Sequence, residues 1–137
     1  MSSREGTVTY VWRGEFENAE LERLHAEAFG HAVTEYDWQG QLQWSLGWVT
    51  ARWDKRLVGF VNVAWDGGAH AFILDTMVAI GERHGGIATQ LIERARMRSR
   101  ESGCEWLHVD FDQHLEGFYL KACGFRATKA GLIDLTR

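Results

Sequence analysis

Val78-Ala79-Ile80-Gly81-Glu82-Arg83-His84-Gly85-Gly86-Ile87-Ala88 is the stretch where the chain changes its period. Before it, residues 69–80 are rich in apolar, β-branched and aromatic side chains and read as a strand. After it, residues 86–100 place Ala88, Leu91, Ile92 and Ala95 on one face, an amphipathic helix that Gly103 closes. A strand ends, a glycine-rich turn follows and a helix begins at once. Consecutive N–H groups in such a turn, added to the positive end of a helix dipole, form an anion site. Gly85 and Gly86 have no side chain, so a diphosphate can approach the main chain closely. The same glycines would also serve a plain bend, and neither GxxxxGK[ST] nor GxGxxG is present.

Upstream, residues 47–53, 57–65 and 69–80 are separated by Asp54-Lys55-Arg56 and Asp66-Gly67-Gly68. Three strands joined by short polar turns read as an antiparallel meander. Residues 7–13 (TVTYVWR) alternate as a strand. Residues 17–29 set Leu21, Leu24, His25 and Ala28 at helical spacing and end at Gly30. Residues 31–46 have no clean period and fit either a short helix or an aromatic loop over a pocket. Downstream, residues 104–111 predict a strand, 114–122 a helix, and 125–128 with 132–135 a last hairpin. The order β-α-(α)-β-β-β-α-β-α-β-β has no repeat and no linker, so residues 1–137 form one domain of α+β, three-layer class.

The 137 residues include 45% hydrophobic and 25% charged side chains, figures of a globular protein with a real core. Pro is absent and Trp occurs seven times. Turns must then be made by glycine and polar residues, and some tryptophans are free to line a pocket. The net charge of -4 argues against a duplex-DNA binder. Residues 1–68 hold 6 Lys/Arg and 10 Asp/Glu, whereas residues 69–137 hold 9 of each, so the first half carries the whole excess. That half suits a cationic ligand and the second an anionic one. No apolar run approaches a membrane span, and residues 1–14 lack the apolar core of a signal peptide. Cys104 and Cys123 read as two buried thiols in a reducing cytoplasm. Their spacing with His108 and His114 matches no zinc pattern, so no metal is expected.

The turn Arg83-His84-Gly85-Gly86-Ile87-Ala88 resembles the [Q/R]-x-x-G-x-[G/A] signature of the GNAT superfamily of acetyl-CoA-dependent N-acetyltransferases. Phe118-Tyr119-Leu120-Lys121-Ala122-Cys123-Gly124-Phe125 is similar to that family's Phe-Tyr helix ending in Gly-Phe. The resemblance implies a mixed, mostly antiparallel sheet splayed between two middle strands. It also implies main-chain contacts from Val78, Ala79 and Ile80 to a pantetheine arm. Arg83, His84, Gly85, Gly86, Ile87, Ala88 and Thr89 would wrap the pyrophosphate of acetyl-CoA. The arginines of the long helix either meet the 3′-phosphate or form a solvated face. Tyr119 becomes the candidate acid for the departing thiolate. Asp112 stands where the family usually has Asn, which suits a helix N-cap better than a cofactor amide.

The nucleophile in such chemistry is the substrate's own amine, so a base is needed and no Ser or Cys nucleophile is. Asp75 lies in the apolar run Phe72-Ile73-Leu74-Asp75-Thr76-Met77, a setting that raises a carboxyl pKa. It is either base or substrate anchor, or is tied up by a neighbouring Arg or backbone N–H. His108 is a rival base or a structural histidine. Trp38, Trp44 and Trp65, with His108, are the candidate contacts to a small, cationic primary amine, or else plain core. A last hairpin can pair with a second chain, giving a homodimer. The alternatives to an acetyltransferase are a non-catalytic acyl-CoA-binding module and an interaction protein with no CoA site.

Overall fold

A computed structural model of the chain describes residues 7–83 and 85–137. The elements run β1 (Val8–Trp12), α1 (Asn18–Phe29), α2 (Trp38–Leu42), β2 (Ser45–Trp53), β3 (Arg56–Trp65), β4 (His70–Val78), α3 (Ile87–Glu101) and β5 (Trp106–His108). The strands form one sheet in the order β1-β2-β3-β4-β5. The first three pairings are antiparallel and β4–β5 is parallel. Helix α1 begins where the Glu20 carboxylate accepts the Glu17 N–H, and it ends at Gly30 in the left-handed region, φ 72°. The ambiguous stretch 31–46 resolves into an extended segment and the short α2, whose Asp37 carboxylate accepts the Gly40 N–H.

Helices cover both faces, so β3 is buried almost along its whole length and residues 57–65 are apolar, broken only by buried Asn62, rather than alternating. On one face Gly59 lets α3 approach: a Cβ there would stand 2.9 Å from Ile87 Cγ2 and 3.2 Å from Leu91 Cδ1. On the other face Phe16, just ahead of α1, packs edge-on against Phe60 and Trp48, each at 5.9 Å. Helix α3 also reaches the sheet's first edge, where Arg94 lies over the Tyr10 ring at 4.7 Å and Arg98 over Trp12 at 6.0 Å.

The second half departs from expectation in four ways. Strand β5 is three residues long and not the eight of 104–111, because its partner strand turns away after the Phe72↔His108 pair. The helix expected over 114–122 is a 3-10 turn, Gln113–Leu115, followed by a π-helical stretch, Gly117–Ala122. The last hairpin is absent: residues 124–134 form no strand, and Leu132, Ile133 and Leu135 are 85%, 84% and 88% exposed. Two such short runs have no third strand to pack against, and an isolated hairpin is marginal in water. The splay therefore falls between β4 and an edge strand, and a homodimer loses the hairpin that suggested it. Cys104 and Cys123 are free and half-buried rather than buried.

Leu91 is fully buried under Gly59 at the centre of the α3 contact. Leu91→Ala is expected to lower stability by about 3 kcal/mol, read as a shift in the urea midpoint at constant slope.

Candidate active site

The register of β3 on β4 breaks at one place. Phe60 pairs with Met77 and Asn62 with Leu74, so Asp75 and Thr76 together oppose Val61. Asp75 takes up the extra residue in the left-handed region, φ 54°. The bulge changes which way β4 faces. Leu74 and Asp75 lie on the α1 side with Asn62, whereas Thr76 shares the α3 side with Val78, the partner of Gly59. On its other edge β4 pairs with β5 only at His70↔Trp106, Ala71↔Leu107 and Phe72↔His108. Beyond Phe72 the pairing ends while β4 runs on to Val78, so the edge of β4 beside the bulge has no strand against it.

On the α1 side, the Asp75 carboxylate meets Asn62 and, at 3.8 Å, His25 Nε2. Asn62 is oriented by the Ser45 hydroxyl, which donates to its Oδ1 at 2.5 Å and turns the amide nitrogen toward Asp75. Burial pushes the Asp75 carboxyl above the ordinary value, and His25 and Asn62 only partly oppose it. Its neighbours are thus a histidine and an amide, not the arginine or backbone N–H that would have retired it. His25 is held between Phe29 and Trp38, ring centroids 4.6 and 4.9 Å away. Burial lowers its pKa, against the pull of Asp75.

On the α3 side, Tyr119 is buried, stacked on Phe111 at 5.0 Å and edge-on to Phe118 and Phe125. Burial raises the phenol pKa and the neighbouring Thr76 hydroxyl opposes it, so Tyr119 keeps its proton at neutral pH. Thr76 Oγ1 is itself buried and makes no well-formed hydrogen bond among the described residues. Burial also pushes the Cys123 thiol up to about 11, which leaves it inert as a nucleophile.

The turn before α3 runs through a 3-10 turn, Ile80–Glu82, to Gly86, whose φ of 83° caps the helix. A Cβ at Gly86 would meet nothing within 4 Å, and one at Gly85 only the Glu82 carbonyl at 3.6 Å, so both glycines face open space. Ile87 anchors the turn in the core, and Ala88 and Thr89 are half-buried. Main-chain groups just upstream are engaged. Ala79 N–H donates to Val58 O at 2.8 Å, and Ile80 N–H to the Glu27 carboxylate at 2.6 Å. Arg83 donates to Val78 O and Ala28 O. His84 lies outside the described residues. Asp112 occupies the cap position of its 3-10 turn, but its side chain makes no capping bond.

The aromatic candidates separate. Trp38 is 4% exposed and donates its indole N–H to the buried Glu22 carboxylate, so it backs His25 and presents no face to a ligand. Trp44 is 86% exposed, and Trp65 is exposed with its indole N–H on Gly68 O. His108 stacks on Phe72 at 4.7 Å and is 2.7 Å from His70. Three residues at the site were not singled out from the sequence: His25, Asn62 and Thr76. The signal for His25 was there, a lone ionisable side chain on the apolar face of residues 17–29.

A carboxyl raised by burial favours the folded state while protonated and disfavours it once ionised. Stability due to Asp75 is thus lost as pH rises from its ordinary value through its raised one. Asp75→Asn removes that loss. Its melting temperature should exceed the wild type's at neutral pH, with the gain vanishing in strong acid; an equal gain at both pH values would contradict the assignment.

Comparison with known proteins adds a sequence and a structural finding. Residues 11–125 match the family model described as the acetyltransferase (GNAT) family. No curated protein matches the chain. Among solved structures, an acetyltransferase from Trypanosoma brucei is 19% identical with a TM-score of 0.78, covering 94% of this chain and 100% of its own. A GNAT family acetyltransferase from Streptococcus pneumoniae is also 19% identical, TM-score 0.76, covering 94% and 99%. An aminoglycoside acetyltransferase from an uncultured soil sample, solved with sisomicin, is 18% identical, TM-score 0.74, covering 93% of each chain. At these identities the structures speak for the fold, while the sequence match speaks for descent. A glycine turn opening α3, a bulged β4 parting from β5 and a match over most of the length place this chain in the acetyltransferase (GNAT) family.

Proposed function

We propose that the protein transfers acetyl from acetyl-CoA to the primary amine of a small, cationic substrate by direct attack in a ternary complex. The observation that carries this reading is the edge of β4 left without a strand beyond Phe72, with a carboxyl on its α1 face and a protonated phenol on its α3 face. Acetyl-CoA supplies, when bound, an acyl group activated as a thioester. The residues present fit it: Gly85 and Gly86 face open space at the head of α3, and the buried Thr76 hydroxyl lies beside Tyr119 on the same side of the sheet. Main-chain N–H groups from Gly85 through Thr89, with the side chain of Arg83 and, by the sequence motif alone, His84, are the pyrophosphate cradle. Val78, Ala79 and Ile80 are the pantetheine edge, where Glu27 and Arg83 must release Ile80 N–H and Val78 O.

Asp75 takes the proton from the ammonium, and Tyr119 gives one to the departing sulfur. The two act from opposite faces of β4, so acceptor and cofactor enter from different sides. The Phe72–His108 stack borders the acceptor side with exposed Trp44 nearby, whereas Trp65, opposite Ala71, lies on the α3 face. The acid excess of residues 1–68 supports a cation there, and the aminoglycoside acetyltransferase neighbour supports a small-molecule acceptor. Free Cys104 and Cys123 suit a reducing cytoplasm. Among the described residues no helix is long and apolar enough to cross a membrane.

The test is thiol release from acetyl-CoA over a panel of amines. Tyr119→Phe should lower kcat by about 10²-fold, and a full rate would remove the acid assignment. Gly86→Glu sets a negative side chain in the turn and should weaken CoA binding at least roughly tenfold, about 1.4 kcal/mol, by calorimetry. Unchanged affinity would sink the cofactor reading. CoA binding without thiol release on any amine would make the chain a non-catalytic acyl-CoA-binding module.

A further inference from the structure

One side-chain chain on the acceptor face is used by nothing described so far. His25 Nδ1 lies 2.5 Å from His31 Nε2, and His31 Nδ1 lies 2.7 Å from Ala32 O. A carbonyl can only accept, so His31 carries its proton on Nδ1 and its Nε2 is the acceptor. His25 must then donate from Nδ1, which leaves its Nε2 bare. That bare nitrogen is the one facing Asp75 Oδ1 at 3.8 Å. The tautomers are therefore fixed from the exposed end inward, and they end on a proton acceptor aimed at the carboxyl. His31 and Ala32 are exposed, so the line Asp75–His25–His31 runs from the unpaired edge of β4 to solvent.

We infer that His25 and His31 form a proton relay that carries to solvent the proton Asp75 takes from the acceptor amine. The inference rests on the reading of Asp75 as base. The stoichiometry demands such an exit. Transfer from a thioester to an ammonium forms one C–N bond, breaks one C–S bond and frees two protons from nitrogen. Sulfur takes one by way of Tyr119, and the other must leave. It passes from Asp75 to His25 Nε2, while the Nδ1 proton of His25 moves to His31 Nε2. Exposed His31 then gives its Nδ1 proton to water. Once product has left, His31 takes a proton from water at Nδ1 and returns its Nε2 proton to His25 Nδ1, and His25 releases its Nε2 proton to water in the vacated site, which restores both tautomers.

The surroundings suit the task. Phe29 and Trp38 clamp the His25 ring in its plane. Glu22, the remaining charged group facing His25, accepts the Trp38 indole N–H at 3.1 Å and the N–H and hydroxyl of Thr34 at 3.0 Å. Those bonds outweigh burial and keep Glu22 ionised, so a negative charge stands by for the transient imidazolium. From β3, Asn62 holds the far side of Asp75. These histidines act through Asp75 and are positioning residues, not contacts to the substrate.

Two measurements test the relay. The first is 15N NMR of the histidines across pH in the protein without ligands. At neutral pH both rings should carry their proton on Nδ1. His25 should titrate in two steps, one of them lost in Asp75→Asn. A single step unchanged by Asp75→Asn overturns the coupling. The second is acetyl transfer to an amine the wild type accepts. His25→Gln and the exposed His31→Gln should each lower kcat by roughly 10-fold or more with acceptor KM within about twofold, and added imidazole should restore part of the rate. Losses in KM alone, or losses that imidazole leaves untouched, overturn the relay as a proton path. If Asp75→Asn is inactive while both histidine variants are fully active, the base stands and the relay alone falls. If Asp75→Asn is fully active, the base reading falls and the relay with it.

Discussion

A non-glycine residue in the left-handed region costs on the order of 1–3 kcal/mol and persists only where its neighbours leave it no alternative. At Asp75 the neighbours do so from several directions. Asn62 holds the carboxylate from β3, His25 approaches it from α1, and Val61 sits opposite two residues where it should meet one. The added residue gives β4 a local bend and twist, as bulges do. Parallel pairing with β5 ends just before it, at Phe72. The same strain therefore turns a carboxyl to one face, a hydroxyl to the other, and opens the sheet between them. Without the bulge, alternation would bury Asp75 or Thr76 on the wrong side.

The first half was largely legible because each signal was local. Gly30 stops α1, Asp54-Lys55 and Gly67 make tight turns, and β-branched residues fill the strands between. The turn at Gly85 and Gly86 was legible for the same reason: glycine where a left-handed backbone opens a helix is a local demand. The second half was less so because its strands depend on partners. Residues 104–111 are apolar enough for a strand, yet strand length is set by how far β4 runs alongside. Leu132, Ile133 and Leu135 have strand-like composition and nothing to pair with. At the site, Asp75 and Tyr119 stood out as an acid in an apolar run and a motif tyrosine. His25, Asn62 and Thr76 did not, since each matters only through a neighbour distant in sequence.

The tryptophan surplus has a largely structural explanation. Trp12 fills the space above Gly47, where a Cβ would lie 2.1 Å from its ring. Trp48 donates its indole N–H to Gly14 O, and Trp38 donates to Glu22. These large rings wedge the layers apart at fixed distances. Trp44, Trp65 and Trp106 are the exposed ones, and Trp65 and Trp106 lie at the paired end of β4, opposite Ala71 and His70. The missing prolines fit the same economy of backbone donors: Ala79, Ile80 and the residues opening α3 all have an N–H in use or on offer.

Three of the four arginines of α3 are committed elsewhere, and the fourth, Arg100, lies in its last turn, far from the head. Arg94 and Arg98 lie over Tyr10 and Trp12, and Arg96 is paired with Glu93. A phosphate held at the head of this helix would thus be held mainly by uncharged amide groups and the helix dipole, at close range. Attraction between mobile surface charges fades within a Debye length of about 8 Å at physiological salt. Recognition by short, fixed dipoles depends far less on the bath. Grip on a pyrophosphate, built this way, would rest on fixed amide geometry more than on mobile side-chain charge, so that a cell's changing salt would weigh more on the acidic acceptor face.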